Sequence, residues 1–238
     1  MILTAHQPVY LPWLGLFHKI ALADVFVSFN RAQYLPKDWN NRNRIKTPQG
    51  PVWLTVPVLR KGYLGKGINE IEINNAIPWR RKHWRSIQGN YRSAPCFNKY
   101  SDFFEDVYQR EWRFLSDLNE NMLKWFLSTL GIKVQFLAAS DYQFQGSKSD
   151  LVLNMCKQLG AGVYVFGALG KGYAKVEEFE NVDIRTVFQE YHHPQYPQLY
   201  NSFISHLSII DLLFNCGDSS LDVLMSGNVT KNNLIAGR

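Results

Sequence analysis

Cysteine is scarce. The 238 residues hold three, Cys96, Cys156 and Cys216, far apart and odd in number. With no C-x-x-C pair there is no basis for a disulfide framework or a cysteine zinc site, and the usage suits a reducing compartment. Long apolar runs are missing too. No stretch approaches the roughly 18 apolar residues of a membrane span, and the first residues show neither a basic leader nor a cleavable apolar segment. The chain therefore reads as cytoplasmic, with no membrane span. Familiar catalytic signatures are absent: no G-x-S-x-G elbow, no H-E-x-x-H helix and no paired-carboxylate pattern, which removes support for hydrolases of those classes. Neither G-x-G-x-x-G nor G-x-x-x-x-G-K-[ST] occurs, so no dinucleotide fingerprint or P-loop is supported. Zinc-type spacing is lacking and no metal site is expected; His192 and His193 are adjacent and point apart.

What is present suits a sizeable core. Hydrophobic residues make up 46% of the chain and no low-complexity stretch interrupts it, which argues for one folded domain over 1–238 rather than disorder. Lys and Arg number 26 against 20 Asp and Glu, a net charge of +6. Such an excess favours anionic partners such as nucleotides, nucleotide-sugars, nucleic acid or acidic headgroups, and it also serves solubility alone.

Periodicity gives the organisation. Residues 2–5 read as a strand, Trp13 to Ala23 as a helix and 25–29 as a buried strand: a β-α-β unit with a right-handed parallel crossover. Residues 30–50 read as a long polar loop or twisted ribbon, 52–58 as an edge strand holding Pro57, and "INEIEI" (68–73) as an alternating strand. From Pro78 the period is helical. Residues 78–95, 98–109 and 111–130 form a helical insertion within 76–131 that stops at Gly131. "KVQFLAAS" is the next strand, Leu151 to Leu159 a helix ended by Gly160, and "GVYVFG" and "DIRTVFQEY" two more strands. An apolar helix closes at Gly217, and the polar tail from about Asn228 frays. The sum is an α/β fold with a mainly parallel, Rossmann-like sheet and a helical insertion.

In such sheets ligands sit beyond the carboxyl ends of the strands. Three stretches converge there: "HQPVY", "GALGKGY" and "QEYHHPQYPQ". His6 leaves a strand end with Gln7 beside it, braced by Pro8 and Pro12, and is a candidate base, acid or donor. Gly15 allows either backbone approach to a phosphate or close packing, and Lys19 follows one turn on as a charge partner. Arg31, Lys37, Arg42, Arg44 and Lys46, interleaved with Tyr34, Trp39 and the amides Asn40, Asn41 and Asn43, read as an anion and ring binder or as a solvated basic loop. Tyr191, Tyr196 and Gln198 read as pocket-lining groups or as a loop covering the sheet edge. Asp211 and Asn215, four apart on an apolar helix, need partners and would brace the "HQP" or tyrosine loop.

Taken together, "TAHQPVYLPWLGLFHKIALADVFV", "WNNRNRIK", "WLTVPV", "YPQ" and "LSIIDLLFN" resemble the WbqC-like family along nearly the whole chain. The family is associated with bacterial surface-polysaccharide gene sets. The resemblance implies an enzyme acting on a nucleotide-linked sugar, through acyl or aminoacyl (for example glycyl) transfer to an amino sugar. His6, Gln7, Tyr10, Lys19, Asn41, Arg42, Tyr196, Gln198 and Asp211 match its pattern. On this reading His6 is the base or polarises the acyl carbonyl, Gln7 and Tyr10 orient substrate, and Lys19 or backbone amides stabilise the oxyanion. Arg42, Arg44 and Lys46 take a diphosphate, and Lys171 or Lys175 a second phosphate. The cofactor stays open between ATP with magnesium and an acyl donor. Two other readings stand beside it: an ATP-dependent nucleotidyltransferase or ligase, and a non-catalytic binder of nucleotide-sugar or RNA. An aminoacyl-tRNA donor would join the last to the first. The "QPVYLPWLG" entry is also similar, more distantly, to that of nucleotidylyltransferases, which implies a shared topology. Leu16 stands where their motif has His after Gly, so adenylyl transfer through that motif loses support.

Overall fold

The computed structural model describes residues 1–200 and 202–236. Asn201 in the tyrosine loop, and Gly237 and Arg238 at the tail, lie outside the described residues. The chain opens with β1 (Ile2–His6), α1 (Leu14–Ala21) and β2 (Val25–Ser28), followed by a hairpin of β3 (Arg42–Thr47) and β4 (Gly50–Thr55). Three helices come next: α2 (Trp79–Tyr91), α3 (Phe97–Gln109) and α4 (Leu115–Thr129). Then follow β5 (Gln135–Ala138), α5 (Lys148–Leu159), β6 (Val163–Phe166), α6 (Val176–Glu180) and β7 (Arg185–Phe188). Helices α7 (Ile209–Cys216), α8 (Ser220–Met225) and α9 (Lys231–Ala236) complete the fold.

Five strands pair in parallel in the order β5-β2-β1-β6-β7, a Rossmann-like sheet. The central strands β2 and β6 are buried throughout, as continuous apolar runs of a sheet covered on both faces must be. From β1 the chain moves one way, through α1 to β2. From β6 it moves the other way, through α6 to β7. Right-handed crossovers then put α1 and α6 on opposite faces. Packing agrees. Residues of α1 share one apolar core with α2, α3, α4 and α7, while α5 and α6 pack against Leu3, Val25, Val27 and Phe166 on the other face.

Two local expectations change, and one open reading is decided. Of the loop and the ribbon, residues 42–47 take the ribbon, a strand paired with β4 from Arg42↔Thr55 to Thr47↔Gly50. The period of two is there, since Asn43 and Ile45 are buried while Arg42 and Arg44 face outward. It is masked because one inward residue is polar; Asn43 donates to the Leu11 carbonyl at 2.6 Å. "INEIEI" is not a strand. Ile68–Glu70 close a 3-10 turn, and residues 71–74 meet segments 57–59 and 113–115 only through the single bridges Val58↔Ile73 and Glu72↔Phe114. The tail is held rather than frayed. Lys231 pairs with Asp24 and donates to the Ala23 carbonyl, and Leu234 packs beside Ile2 and Val163.

Candidate active site

The chain leaves β1 and β6 in opposite directions, so the crevice beyond their carboxyl ends is the topological switch point, where α/β sheets take ligands. A cleft of about 840 Å³ opens there, within the range of small-molecule sites. Its polar end is built by the loop after β1. His6 and Gln7 leave the strand end, and Pro8 and Pro12 limit the backbone of the turn that follows.

Lys19 is the unusual group. It reaches from α1 to the switch point, is 4% exposed, and donates to the Ala5 carbonyl at 2.9 Å. A Cβ placed on Gly167, just past β6, would sit 3.9 Å from its Nζ, which puts the ammonium between the two strand ends. Among the described residues no carboxylate pairs with it. Burial lowers its pKa to about 8, so at neutral pH it is a buried and largely uncompensated cation. His6 is half-buried beside it. Its Nδ1–H donates to the Gln7 carbonyl at 2.8 Å, which leaves Nε2 with the lone pair. Burial first, and the Lys19 charge second, depress its pKa to about 3, so the ring is neutral. Asn40 fixes Gln7, donating to its Oε1 at 3.2 Å and to the Pro8 carbonyl at 3.0 Å.

One wall is aromatic. The Trp13 indole lies over Gly15, where a Cβ would meet its ring at 2.2 Å, and stacks on His206 at 5.3 Å. Tyr191 meets the Trp13 edge at 5.6 Å. Gln189, after β7, donates to the Gly15 carbonyl at 2.8 Å and to His18 Nδ1 at 2.8 Å, tying α1 to the sheet. Gly15 thus makes room for a ring, the packing side of the two readings. Trp39 stands at the cleft mouth and is 42% exposed.

Of the residues singled out in the sequence, His6, Gln7, Gly15, Lys19, Trp39, Asn40, Asn43 and Tyr191 line this cleft. The remaining candidates lie elsewhere. Tyr10 is fully buried, and its hydroxyl joins His83 Nδ1 at 2.8 Å and the Tyr108 hydroxyl; it braces the helical core and does not orient a ligand. Asn41 is buried and donates to the Val56 carbonyl at 2.8 Å. Arg31 donates to the Tyr142 carbonyl at 3.3 Å. Arg42 and Arg44 lie over the exposed Trp53 ring at 4.4 and 5.7 Å, on the hairpin outside the cleft. Lys46 is buried behind the hairpin, donating to Gln198 Oε1 at 3.0 Å and to the Ser202 carbonyl. There it joins Tyr196 and Asp211, whose Oδ2 accepts from Tyr91 at 2.7 Å. This cluster ties the tyrosine loop to α7 and lies apart from the switch-point cleft, with Lys46 lining a second cavity of about 430 Å³ beside Ser202 and Ile204. Asn215 donates within its own helix to the Asp211 carbonyl at 2.7 Å and braces neither loop. Lys171 and Lys175 are exposed and paired, with Glu190 and with Asp150 and Glu178.

The sequence reading did not single out Trp13, Gln189 and His206 as site residues. Trp13 and Gln189 had a signal, since they sit inside the "QPVYLPWLG" and "QEYHHPQYPQ" stretches. His206 had none, because only the fold brings it to the crevice. No group of three or more His, Cys, Asp or Glu that could hold a metal ion occurs among the described residues.

The model of the WbqC-like protein family matches residues 7–223, nearly the whole chain. The chain belongs to the WbqC-like family. A similar protein of Mycobacterium tuberculosis (strain ATCC 25618 / H37Rv), "Uncharacterized protein Rv1507c", is 37% identical over 220 residues, covering 92% of this chain and 95% of that protein. The matched region of this WbqC-like protein takes in His6's neighbour Gln7, Lys19 and both walls of the cleft.

Proposed function

We propose that this protein transfers an acyl or aminoacyl group to the amine of a nucleotide-linked amino sugar, a step of bacterial surface-polysaccharide synthesis. The observation that carries this reading is the Lys19 ammonium, buried at the switch point with no carboxylate beside it, next to a neutral His6. A buried cation without a partner is costly unless a ligand's negative charge meets it. An oxyanion forming on an acyl carbonyl supplies that charge in the transition state, which is where stabilisation accelerates a reaction.

The amine attacks the carbonyl of an acyl ester or thioester. A C–N bond forms, the bond to the leaving oxygen or sulfur breaks, and the amine proton passes through His6 Nε2 to the leaving group. Lys19 holds the carbonyl oxygen. As that oxygen gains charge it offsets the cation that depresses His6, so the base strengthens as the reaction proceeds. Gln7, fixed through its Oε1 by Asn40, has its amide N–H left to orient the acceptor. Trp39 at the mouth offers a face for the base, with Arg42 and Arg44 nearby for the diphosphate.

A mass-spectrometric transfer assay, with acyl thioesters and esters against uridine and thymidine diphosphate amino sugars, tests this. His6→Ala should lower the rate more than about tenfold with folding intact, and Lys19→Gln should lower it further. Turnover that survives both changes removes the proposed machinery. Pyrophosphate release from ATP with magnesium, in place of acyl transfer, makes the protein a nucleotidyltransferase. Binding without any turnover makes it a nucleotide-sugar or RNA binder.

A further inference from the structure

The cleft does not end at Lys19. Beyond β1 it runs across to the α5 face, where Ala5, Phe29, Leu151, Val152, Met155 and Phe166 line it. Apart from Leu151, which is half-buried on α5, these residues belong to, or pack on, the second apolar core, so this arm opens onto the core surface. Leu169, on the turn after β6, borders the same arm and is 89% exposed; Tyr173 beside it is 43% exposed. A leucine so placed next to an apolar trough has its partner missing. The cleft thus has the buried Lys19 cation at the switch point and an apolar wall leading away from it, with the exposed Lys148, first residue of α5, also among its lining.

We infer that the apolar arm holds the hydrocarbon chain of the transferred acyl group, a chain of several carbons that carries no charged α-amine. The inference rests on the acyl-transfer reading and narrows its donor. A glycyl donor would bring an ammonium toward Lys19, with no carboxylate between the two, and would leave the arm wet. An alkanoyl donor instead puts its carbonyl oxygen at Lys19 and its methylenes against Leu151, Met155 and Phe166. Each methylene taken from water should tighten binding about fourfold until the arm is full. Leu169 closes over the chain.

The test uses the full protein and linear carboxylates from acetate to decanoate, titrated calorimetrically at pH 7. The carboxylate stands in for the acyl carbonyl at Lys19. The dissociation constant should fall about fourfold per carbon and then level off, while n-alkylamines of equal length should not bind. Leu151→Glu places a charge in the arm at the fourth residue of α5, near a helix start that favours it, so the helix persists. This variant should flatten the series, and Leu169→Ser should weaken only the longer chains. A flat wild-type series, glycine binding as tightly as hexanoate, or a Leu151→Glu series as steep as wild type overturns the inference. If the series is steep but no amino-sugar nucleotide is acylated, the arm stands and the acceptor assignment falls.

Discussion

Lys19 bears a stability cost for the sake of its position. Its pKa falls from an unfolded value near 10.5 to about 8, so below pH 8 folding keeps a charged amine that the unfolded chain would leave in water. Lys19→Met should therefore stabilise the protein at pH 7 by on the order of 3 kcal/mol. The sign follows from proton binding. Between pH 8 and 10.5 the unfolded state holds more protons, wild-type stability rises with pH, and the advantage of the variant fades. Urea denaturation at pH 7 and pH 10.5 checks this, and an equal gain at both values would contradict it. At this scale His6, Gln7 and Lys19, each singled out in the sequence, lie together because one loop and the start of one helix connect them. Tyr10 misled for a physical reason: four residues past His6, its side chain turns into the helical core and meets His83 and Tyr108, 73 and 98 residues away in sequence.

Helix α1 is fixed to the site wall by shape. Gly15 gives Trp13 its place, and the indole is held between His206 and Tyr191. Gly15→Ala must lift a ring that has neighbours on both sides, an overpacking cost of about 1–3 kcal/mol. It should also widen the cleft wall and weaken ligand binding. Thermal unfolding read together with carboxylate affinity tests both effects, and an unchanged melting temperature would show that the ring yields freely. The hairpin shows where reading elements from sequence runs out. β3 alternates as a strand should, but its inward Asn43 is polar and bonds the Leu11 carbonyl, so hydrophobic periodicity does not register it. "INEIEI" has the reverse fault. It alternates well and forms no strand, since a strand needs a continuous ladder and its contacts with 57–59 and 113–115 stop at single bridges.

Across the whole molecule, the C-terminal segment closes the back of the site. His18 is fully buried and donates from Nε2 to the Val229 carbonyl at 2.9 Å, while its Nδ1 accepts from Gln189. Asn228 clasps the His192 backbone, with His192 N–H donating to its Oδ1 at 2.8 Å and its own amide donating to the His192 carbonyl at 2.9 Å. A chain ending at Gly227 leaves the buried His18 N–H without its carbonyl, a loss of about 1–3 kcal/mol. The half-exposed Lys231–Asp24 pair adds little. The truncated chain should also loosen Tyr191, whose ring packs on His18 at 5.1 Å. Urea unfolding of the shortened protein measures the first effect and ligand affinity the second; full stability without residues 228–238 would refute the role given to the tail.

The sequence by itself determined the α/β class, the opening β-α-β unit, the helical stretch before β5 and the loop that carries His6 and Gln7. Each of these is written in local periodicity or in proline and glycine placed a few residues apart. The tertiary structure decided which chemistry-bearing residues meet. Lys46, Tyr196, Gln198 and Asp211 cluster behind the hairpin, away from the switch-point cleft, and His206 joins that cleft although its own segment gives no clue to it. Strand order is the reason. β1 and β6 are separated by more than half the chain, yet they lie side by side with their connections leaving in opposite directions, and only that juxtaposition opens a crevice between them.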